Sequence, residues 1–221
     1  SDSEIAAALR ARLAPALRRI AYFVVPSAAA FLAFGGVIAG ALFQTGKFTA
    51  EDSRFVWAIL AGSAVGLLAA TLGRLYSSAY YALRDTRTPL RFAVLRVVLT
   101  TVLGYLCALP LPHLLGVDQR WGAAGLTASA GIAGWVEYLL LMRGLRRRID
   151  APAVPAGYLA RLWGASLLGA ALGFGAWYLT PAMHPVLRAV VVLGPYGVTS
   201  LGTTLALGLP EATSLVRRLR R

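Results

Sequence analysis

Hydrophobic and polar positions divide the chain into six long apolar stretches separated by short polar ones. The stretches are Ile20–Phe43, Phe55–Leu83, Leu90–Leu111, Trp121–Met142, Tyr158–Leu179 and Val186–Leu209. Each is long enough for a helix to cross a bilayer core of about 30 Å, which takes about 20 residues. The pattern predicts an all-α polytopic membrane protein with about six transmembrane helices.

Composition agrees with a membrane protein, because 58% of the residues are hydrophobic and only 14% are charged. The net charge of +13 would suggest nucleic acid as the partner of a soluble protein. Here the cations lie between the apolar stretches, so we expect membrane lipids and no nucleic acid. The N-terminus lacks the basic-then-apolar pattern of a cleaved signal peptide.

The basic residues favour one side of the membrane. Alternate polar segments hold fifteen of them, the other three loops hold four, and Arg74, Arg96 and Arg161 lie within the spans. By the positive-inside rule, both ends of the chain are cytoplasmic. The fifteen are Arg10, Arg12, Arg18, Arg19, Arg84, Arg87, Arg91, Arg143, Arg146, Arg147, Arg148, Arg217, Arg218, Arg220 and Arg221; the four are Lys47, Arg54, Arg120 and Arg188.

These patterns divide the chain into five segments. Residues 1–19 form an amphipathic cytoplasmic lead-in, 20–142 four transmembrane helices, 143–157 a basic cytoplasmic linker, 158–209 two further helices, and 210–221 a basic tail. We expect kinks at Pro26 and Pro195. Glycines four residues apart predict close helix packing at Gly36 and Gly40, Gly62 and Gly66, and Gly169 and Gly173.

The second span carries a polar stripe. Thr71, Arg74, Ser78, Tyr81 and Asp85 recur at spacings of three and four, so on a helix they share one face. Lipid offers polar groups no hydrogen-bond partners, and we expect this face to meet protein or water.

Arg74 carries a full charge close to the middle of the bilayer, about 15 Å along the helix from Arg84. It either snorkels or forms an internal ion pair for structural reasons, or it lines a wet cavity that receives an anionic group. Glu137 is its expected partner, as an ion pair, a proton site or both. Gly125, Ser129 and Ala133 lead to Glu137 along one face, which we expect to pack on protein. Arg96 aligns with Thr100 and Gly104, and its position near the helix end favours snorkelling.

Enzymatic motifs are absent from the sequence. Gly46-Lys47-Phe48-Thr49 lacks the spacing of a phosphate-binding loop, and we find no metal-ligand cluster or nucleophile–base pair. We therefore expect no enzyme activity, no cofactor and no metal.

Three segments resemble the lipid II flippase family MurJ (MviN). They are Val25-Pro26-Ser27-Ala28, the outer loop Leu42–Asp52, and the turn Tyr80–Pro89, which is similar to that family's Asp-x-[Lys/Arg]-Thr-Pro motif. The resemblance covers nearly the whole chain but only the ninth to fourteenth helices of the family's fourteen-helix fold. Glu137 stands where the family pattern leads us to expect Asn.

The resemblance implies part of a flippase that moves a polyprenyl-pyrophosphate-linked saccharide outward across the bacterial inner membrane by alternating access. It implies a cationic cavity completed by an N-terminal lobe, with Arg74 as a cavity residue. It also implies that the helices within 158–209 form a groove for the polyprenyl tail. A flippase for another polyprenyl-linked saccharide and a non-transporting scaffold for envelope synthesis remain alternatives, and an integral-membrane transferase comes third.

Overall fold

The computed structural model describes residues 2–44, 48–181 and 183–219, and this part of the chain is helical with short connections. A 3₁₀ turn, Gln119–Trp121, precedes α5. The helices are α1 (Asp2–Phe43), α2 (Ala50–Ala82), α3 (Arg87–Ala108), α4 (Pro110–Leu115), α5 (Gly122–Ile149), α6 (Ala156–Leu179), α7 (Pro185–Ala206) and α8 (Pro210–Leu219).

Within the described residues, six helical segments are long and apolar enough to cross a membrane, which confirms the predicted all-α membrane fold. Each of them contains most of one predicted span. They are Glu4–Phe43, Glu51–Ala82, Arg87–Leu115, Gln119–Ile149, Ala156–Leu179 and Pro185–Ala206.

Helix α1 joins the predicted lead-in to the first span without a break, and its backbone leaves helical geometry at Phe34 (φ −123°, ψ 15°). The kink that the sequence predicted in this helix was at Pro26. The Trp57 indole N–H donates to the carbonyl of Leu32 at 3.0 Å, two residues before Phe34. In a regular helix that carbonyl would accept from Gly36, so a side chain competing for it accounts for a kink at this point.

A break in the helix lies two residues before the end of the third predicted span, Leu90–Leu111. Helix α3 ends at Ala108, and α4 begins at Pro110. Proline has no N–H to continue the hydrogen-bond ladder, which explains the break. Gly116 then closes α4 in the left-handed region, with φ 64°.

The basic segment predicted as a linker is mostly helical, because α5 continues to Ile149. Arg146, Arg147 and Arg148 occupy its last turn, where cations interact favourably with the helix dipole. The irregular part is limited to residues 150–155. Residues 210–219, predicted as a basic tail, form α8.

The chain forms two compact units. The first contains Ser1–Ala21 and Ala61–Val154, and the second contains Tyr22–Leu60 and Pro155–Arg221. Helices α1 and α2 therefore contribute residues to both units. The functional division of the chain into five segments stays a prediction.

Small residues hold the first unit together. A Cβ on Gly66 would meet the Cα of Gly131, and one on Gly125 would lie 2.7 Å from the Cys107 carbonyl oxygen. Helix α5 therefore approaches both α2 and α3 at backbone distance. Such contacts confirm the packing predicted for Gly62 and Gly66 and are typical of membrane helices, whose association relies on close packing.

In the second unit, α6 packs on α7 through Gly169, where a Cβ would lie 2.7 Å from the Tyr196 carbonyl oxygen. Phe34 is buried beside Val192 and Tyr196 in the apolar core. The Tyr196 hydroxyl donates to the Pro26 carbonyl at 2.6 Å, so α7 is tied to α1 within this unit.

Candidate functional site: the polar face of α2 and the turn after it

The burial pattern of α2 separates a core face from a polar face. Leu72 and Tyr76 are buried, at 1% and 0% exposure, while Arg74 and Ser78 are exposed and Tyr81 is 54% exposed. The alternation follows the helical period. The predicted stripe therefore lies on the side of α2 that the rest of the first unit leaves open.

The two hydroxyl groups of the stripe bind their own helix. Thr71 Oγ1 donates to the Leu67 carbonyl at 2.8 Å, and Ser78 Oγ donates to the Arg74 carbonyl at 2.9 Å. Such bonds satisfy a hydroxyl inside an apolar environment. Thr71 and Ser78 therefore have a hydrogen-bond partner within α2, whereas Arg74 and Tyr81 carry the polar groups of this face that most need water or protein. That the face meets protein or water stays a prediction.

Arg74 is not paired with Glu137. The Glu137 Oε2 accepts from Arg96 Nη1 at 3.1 Å, and Arg96 is therefore the ion-pair partner of Glu137. No carboxylate within the described residues lies at ion-pair distance from Arg74. Arg96 and Glu137 meet because α3 and α5 pack together, whereas Arg74 lies on the open face of α2.

The ion pair ends a seam of small residues between α3 and α5. A Cβ on Gly104 would lie 3.4 Å from Ser129 Oγ, and Gly125 contacts Cys107 farther along. The face of α3 that carries Arg96 and Gly104 therefore meets the face of α5 that carries Ser129 and Glu137. This confirms that the α5 face packs on protein.

The turn from α2 into α3 contains Arg84 in the left-handed region, with φ 58°. The Arg84 N–H donates to the Tyr81 carbonyl at 2.9 Å, and the Asp85 N–H donates to the Tyr80 carbonyl at 3.0 Å. These two bonds form a Schellman motif, in which glycine is the usual left-handed residue. Helix α2 therefore ends before Asp85. Asp85 belongs to the turn and not to the polar stripe in which the sequence placed it.

Asp85 joins three segments through its carboxylate. Oδ1 accepts from the Thr88 N–H at 3.0 Å, while Oδ2 accepts from Thr88 Oγ1 and from Arg148 Nη1, both at 2.8 Å. The bonds from Thr88, followed by the charge of Arg148, lower the pKa of Asp85 below its usual value. The carboxylate therefore caps the first turn of α3 and connects it to the end of α5.

Nothing in the sequence distinguishes Arg148 as the partner of Asp85, because Arg146 and Arg147 beside it are equally basic. Tyr80 and Tyr76 were also missed as structural residues. The Tyr80 hydroxyl donates to the Leu141 carbonyl at 3.2 Å, and the Tyr76 hydroxyl donates to the Pro152 carbonyl at 2.7 Å. Both bonds fix α2 against α5 and the segment that follows it.

The outer-loop residues that carry the family resemblance are only partly described, since residues 45–47 lie outside the described ranges. Beyond them, Thr49 Oγ1 donates to Asp52 Oδ2 at 2.7 Å, and the Asp52 N–H donates back to Thr49 Oγ1 at 3.2 Å. This reciprocal pair is a cap at the start of α2.

A family model described as lipid II flippase MurJ matches residues 2–196. The chain belongs to the MurJ family. Its resemblance at the Asp85 turn is thus part of a match over most of the chain, and its six apolar helices are those of a membrane protein.

Two curated relatives show the extent of the match. The lipid II flippase MurJ of Burkholderia cenocepacia is 30% identical over 158 residues, which are 71% of this chain and 29% of the relative. The probable lipid II flippase MurJ of Rhizobium meliloti is 31% identical over 206 residues, 89% of this chain and 37% of the relative. The chain thus spans about a third of the length of these MurJ proteins.

A solved structure has the same fold. It is titled lipid II flippase MurJ, inward closed conformation, and matches with a TM-score of 0.67 over 93% of this chain and 42% of the solved chain. At 19% identity, the similarity extends to the fold alone.

Proposed function

We propose that this chain forms the C-terminal part of a flippase that moves a lipid-linked peptidoglycan precursor from the cytoplasmic to the outer leaflet by alternating access. Family membership supports the flippase class. The substrate of this proposal is a polyprenyl-pyrophosphate-linked saccharide, which combines a strong anion with a long apolar tail. Fixed cations in a wet cavity and an apolar groove are the two features that such a molecule requires.

The unpaired cation of Arg74 is the observation that carries the proposal. An exposed arginine facing lipid at this depth costs at least ~2.5–3.5 kcal/mol by insertion scales. A cavity filled with water and closed by an N-terminal lobe removes that cost and leaves the guanidinium for the pyrophosphate. In this proposal Thr71, Ser78 and Tyr81 line the same cavity beside Arg74. Glu137 neutralises Arg96 and does not compete for the substrate site.

A groove on α6 and α7 supports the proposal that the protein holds the apolar tail of the substrate. Its volume is ≈ 490 Å³, and Arg161 lines it near the start of α6. Leu167 and Leu168 are exposed beside it, at 64% and 57%. We assign this groove to the polyprenyl tail. The remaining lining residues are Gly164, Ala165, Thr203 and Leu207.

Transport without enzyme chemistry needs an external driving force. The sequence contains no nucleotide-binding loop. The membrane potential supplies about 2.3 kcal/mol per charge per 100 mV, and an ion gradient is the other available source. We place the protein in the bacterial inner membrane with its basic segments in the cytoplasm.

Complementation of a strain depleted of its own flippase tests this function. We expect the 221-residue chain to fail alone, and to restore growth when fused to the first eight helices of the Burkholderia cenocepacia relative. Immunoblots of membranes provide the control for equal amounts of both proteins. Rescue by the isolated chain would contradict the need for a second lobe. A stably inserted fusion that does not rescue would favour the scaffold alternative.

A further inference from the structure

The second unit contains a pocket that lies away from the proposed tail groove. Its volume is ≈ 560 Å³, within the range of small-molecule sites. Helices α1, α2, α6 and α7 all contribute to its wall. It lies near the end of α6 that carries Trp177, whereas Arg161 and the tail groove lie near the start of that helix.

Two arginines line this pocket, and no acidic residue lies among its lining residues. Arg188 is held in place by Trp177: its guanidinium carbon lies 4.8 Å from the ring centroid, and its Nη2 donates to the Trp177 carbonyl at 3.3 Å. Arg54 is the second arginine and is exposed. Gln44 and Ser53 add uncharged polar groups.

One hydrogen-bond donor of the Arg188 side chain has no acceptor within the described residues. Its Nε is buried and has no hydrogen-bond acceptor among the described residues. A buried charged donor without an acceptor is costly, and its presence in a pocket indicates an acceptor supplied from outside the protein. Two guanidinium groups in a wall whose described lining residues include no carboxylate favour an anion, and phosphate suits the geometry of arginine.

The rest of the wall is apolar. Leu32, Val37 and Phe174 lie on one side, and the Trp57 indole adds an aromatic surface. A free phosphate would leave this surface without a partner, whereas the acyl chains of a lipid would cover it. Tryptophan is also enriched at the level of the lipid headgroups.

We propose that this pocket binds an anionic phospholipid, with its phosphate between Arg54 and Arg188 and its upper acyl carbons along the apolar wall. The occupant is a resident lipid of the leaflet that the charge bias makes the outer one. It is distinct from the transported substrate, and the inference does not depend on transport activity. The bound lipid stabilises the second unit, because a ligand that binds only the folded state raises its stability.

The test uses the purified 221-residue chain in neutral detergent. Phosphatidylglycerol, phosphatidylethanolamine with the same acyl chains, or inorganic phosphate is added in turn. Native mass spectrometry measures retained lipid, and thermal unfolding measures stabilisation. We expect phosphatidylglycerol to be retained and to raise the Tm, with much smaller effects of the other two. Equal stabilisation by inorganic phosphate would overturn the lipid assignment, and equal retention of both lipids would overturn the role of charge.

Variants locate the site. Arg54→Gln removes an exposed side chain and is expected to weaken phosphatidylglycerol binding roughly tenfold, the effect of one charge-assisted hydrogen bond. Arg188→Lys keeps the charge but loses the planar donors, and it is expected to weaken binding while the chain remains folded. Arg120→Gln is the matched control, since it removes one charge outside the pocket. Unchanged binding in both pocket variants, or an equal loss in the control, would overturn the proposal.

Discussion

Glu137 shows what a sequence can and cannot determine about a charged residue within a membrane span. Its presence on a face of small residues predicted contact with protein, and Gly125 and Ser129 do contact α3. Its partner depended on which helix α5 packs against. Arg74 and Arg96 were both candidate partners for Glu137. Helical periodicity within each span does not show which spans pack together, so it could not choose between them. The structure assigns Arg96, at 3.1 Å.

Glu137→Gln is expected to destabilise the protein by about 1–3 kcal/mol, between the effects of exposed and buried ion pairs. The substitution leaves the Arg96 guanidinium without its carboxylate. A double-mutant cycle with Arg96→Gln, measured by thermal unfolding in detergent, should recover part of the loss. Glu51→Gln, at the exposed start of α2, is the control. Strictly additive effects of the two substitutions would contradict a stabilising pair.

Asp85 makes stability depend on pH. Because its pKa is lowered in the folded protein, its ionised form stabilises the fold above the usual aspartate pKa of about 3.9. This contribution is lost as the pH falls through the folded pKa. Asp85→Asn should therefore cost about 1 kcal/mol near pH 7 and progressively less below pH 4. Thermal unfolding across this range gives the difference, with exposed Asp150→Asn as control. A constant difference at every pH would contradict a role for the charge.

At the scale of the helices, apolar length and periodicity were enough to predict the six spans and the glycine contacts of α2. They were not enough to place the kink in α1. Pro26 carries a local signal, but the observed kink at Phe34 depends on Trp57, a residue from another helix. The break at Pro110 could have been predicted from local chemistry, since proline cannot continue the ladder.

The close contact between α2 and α5 predicts different outcomes for two glycines of α5. A Cβ on Gly131 would lie 2.8 Å from the backbone nitrogen of Gly66, whereas one on Gly134 would meet no atom within 4 Å. Gly131→Ala should force the helices apart and cost about 1–3 kcal/mol. Gly134→Ala, the matched control, should be neutral or slightly stabilising through helix propensity. Equal Tm values for the two variants would contradict the packing.

At the scale of the whole molecule, the sequence predicted the membrane class and the family, because both depend on features spread along the chain. The orientation in the membrane stays a prediction that rests on fifteen cations against four. The side of the membrane that each loop occupies also decides which leaflet holds the lipid proposed for the Arg54 and Arg188 pocket.

Cysteine labelling tests the orientation. In a Cys107→Ala background, we expect Arg147→Cys to be protected from a membrane-impermeant reagent in intact cells and Val117→Cys to be labelled. Permeabilised cells, in which both should react, provide the control. Labelling of Arg147→Cys from outside, with Val117→Cys protected, would reverse the topology.

We propose that Arg74 receives the anionic part of a lipid-linked substrate. Its position on the open face of α2, without a described carboxylate partner, distinguishes it from Arg96. In the complete two-lobed fusion, Arg74→Ala should leave membrane insertion and amount near normal. It should abolish growth of the depleted strain, while Arg74→Lys should retain part of the activity because its charge survives. Arg91→Ala, an exposed arginine of α3, is the control.

The decisive measurement is therefore growth of the flippase-depleted strain that carries the fusion with Arg74→Ala at a normal membrane level. We expect no growth for this variant, partial growth for Arg74→Lys and normal growth for the Arg91→Ala control. Normal growth with Arg74→Ala would contradict a role of Arg74 in binding the substrate and leave it as a structural arginine.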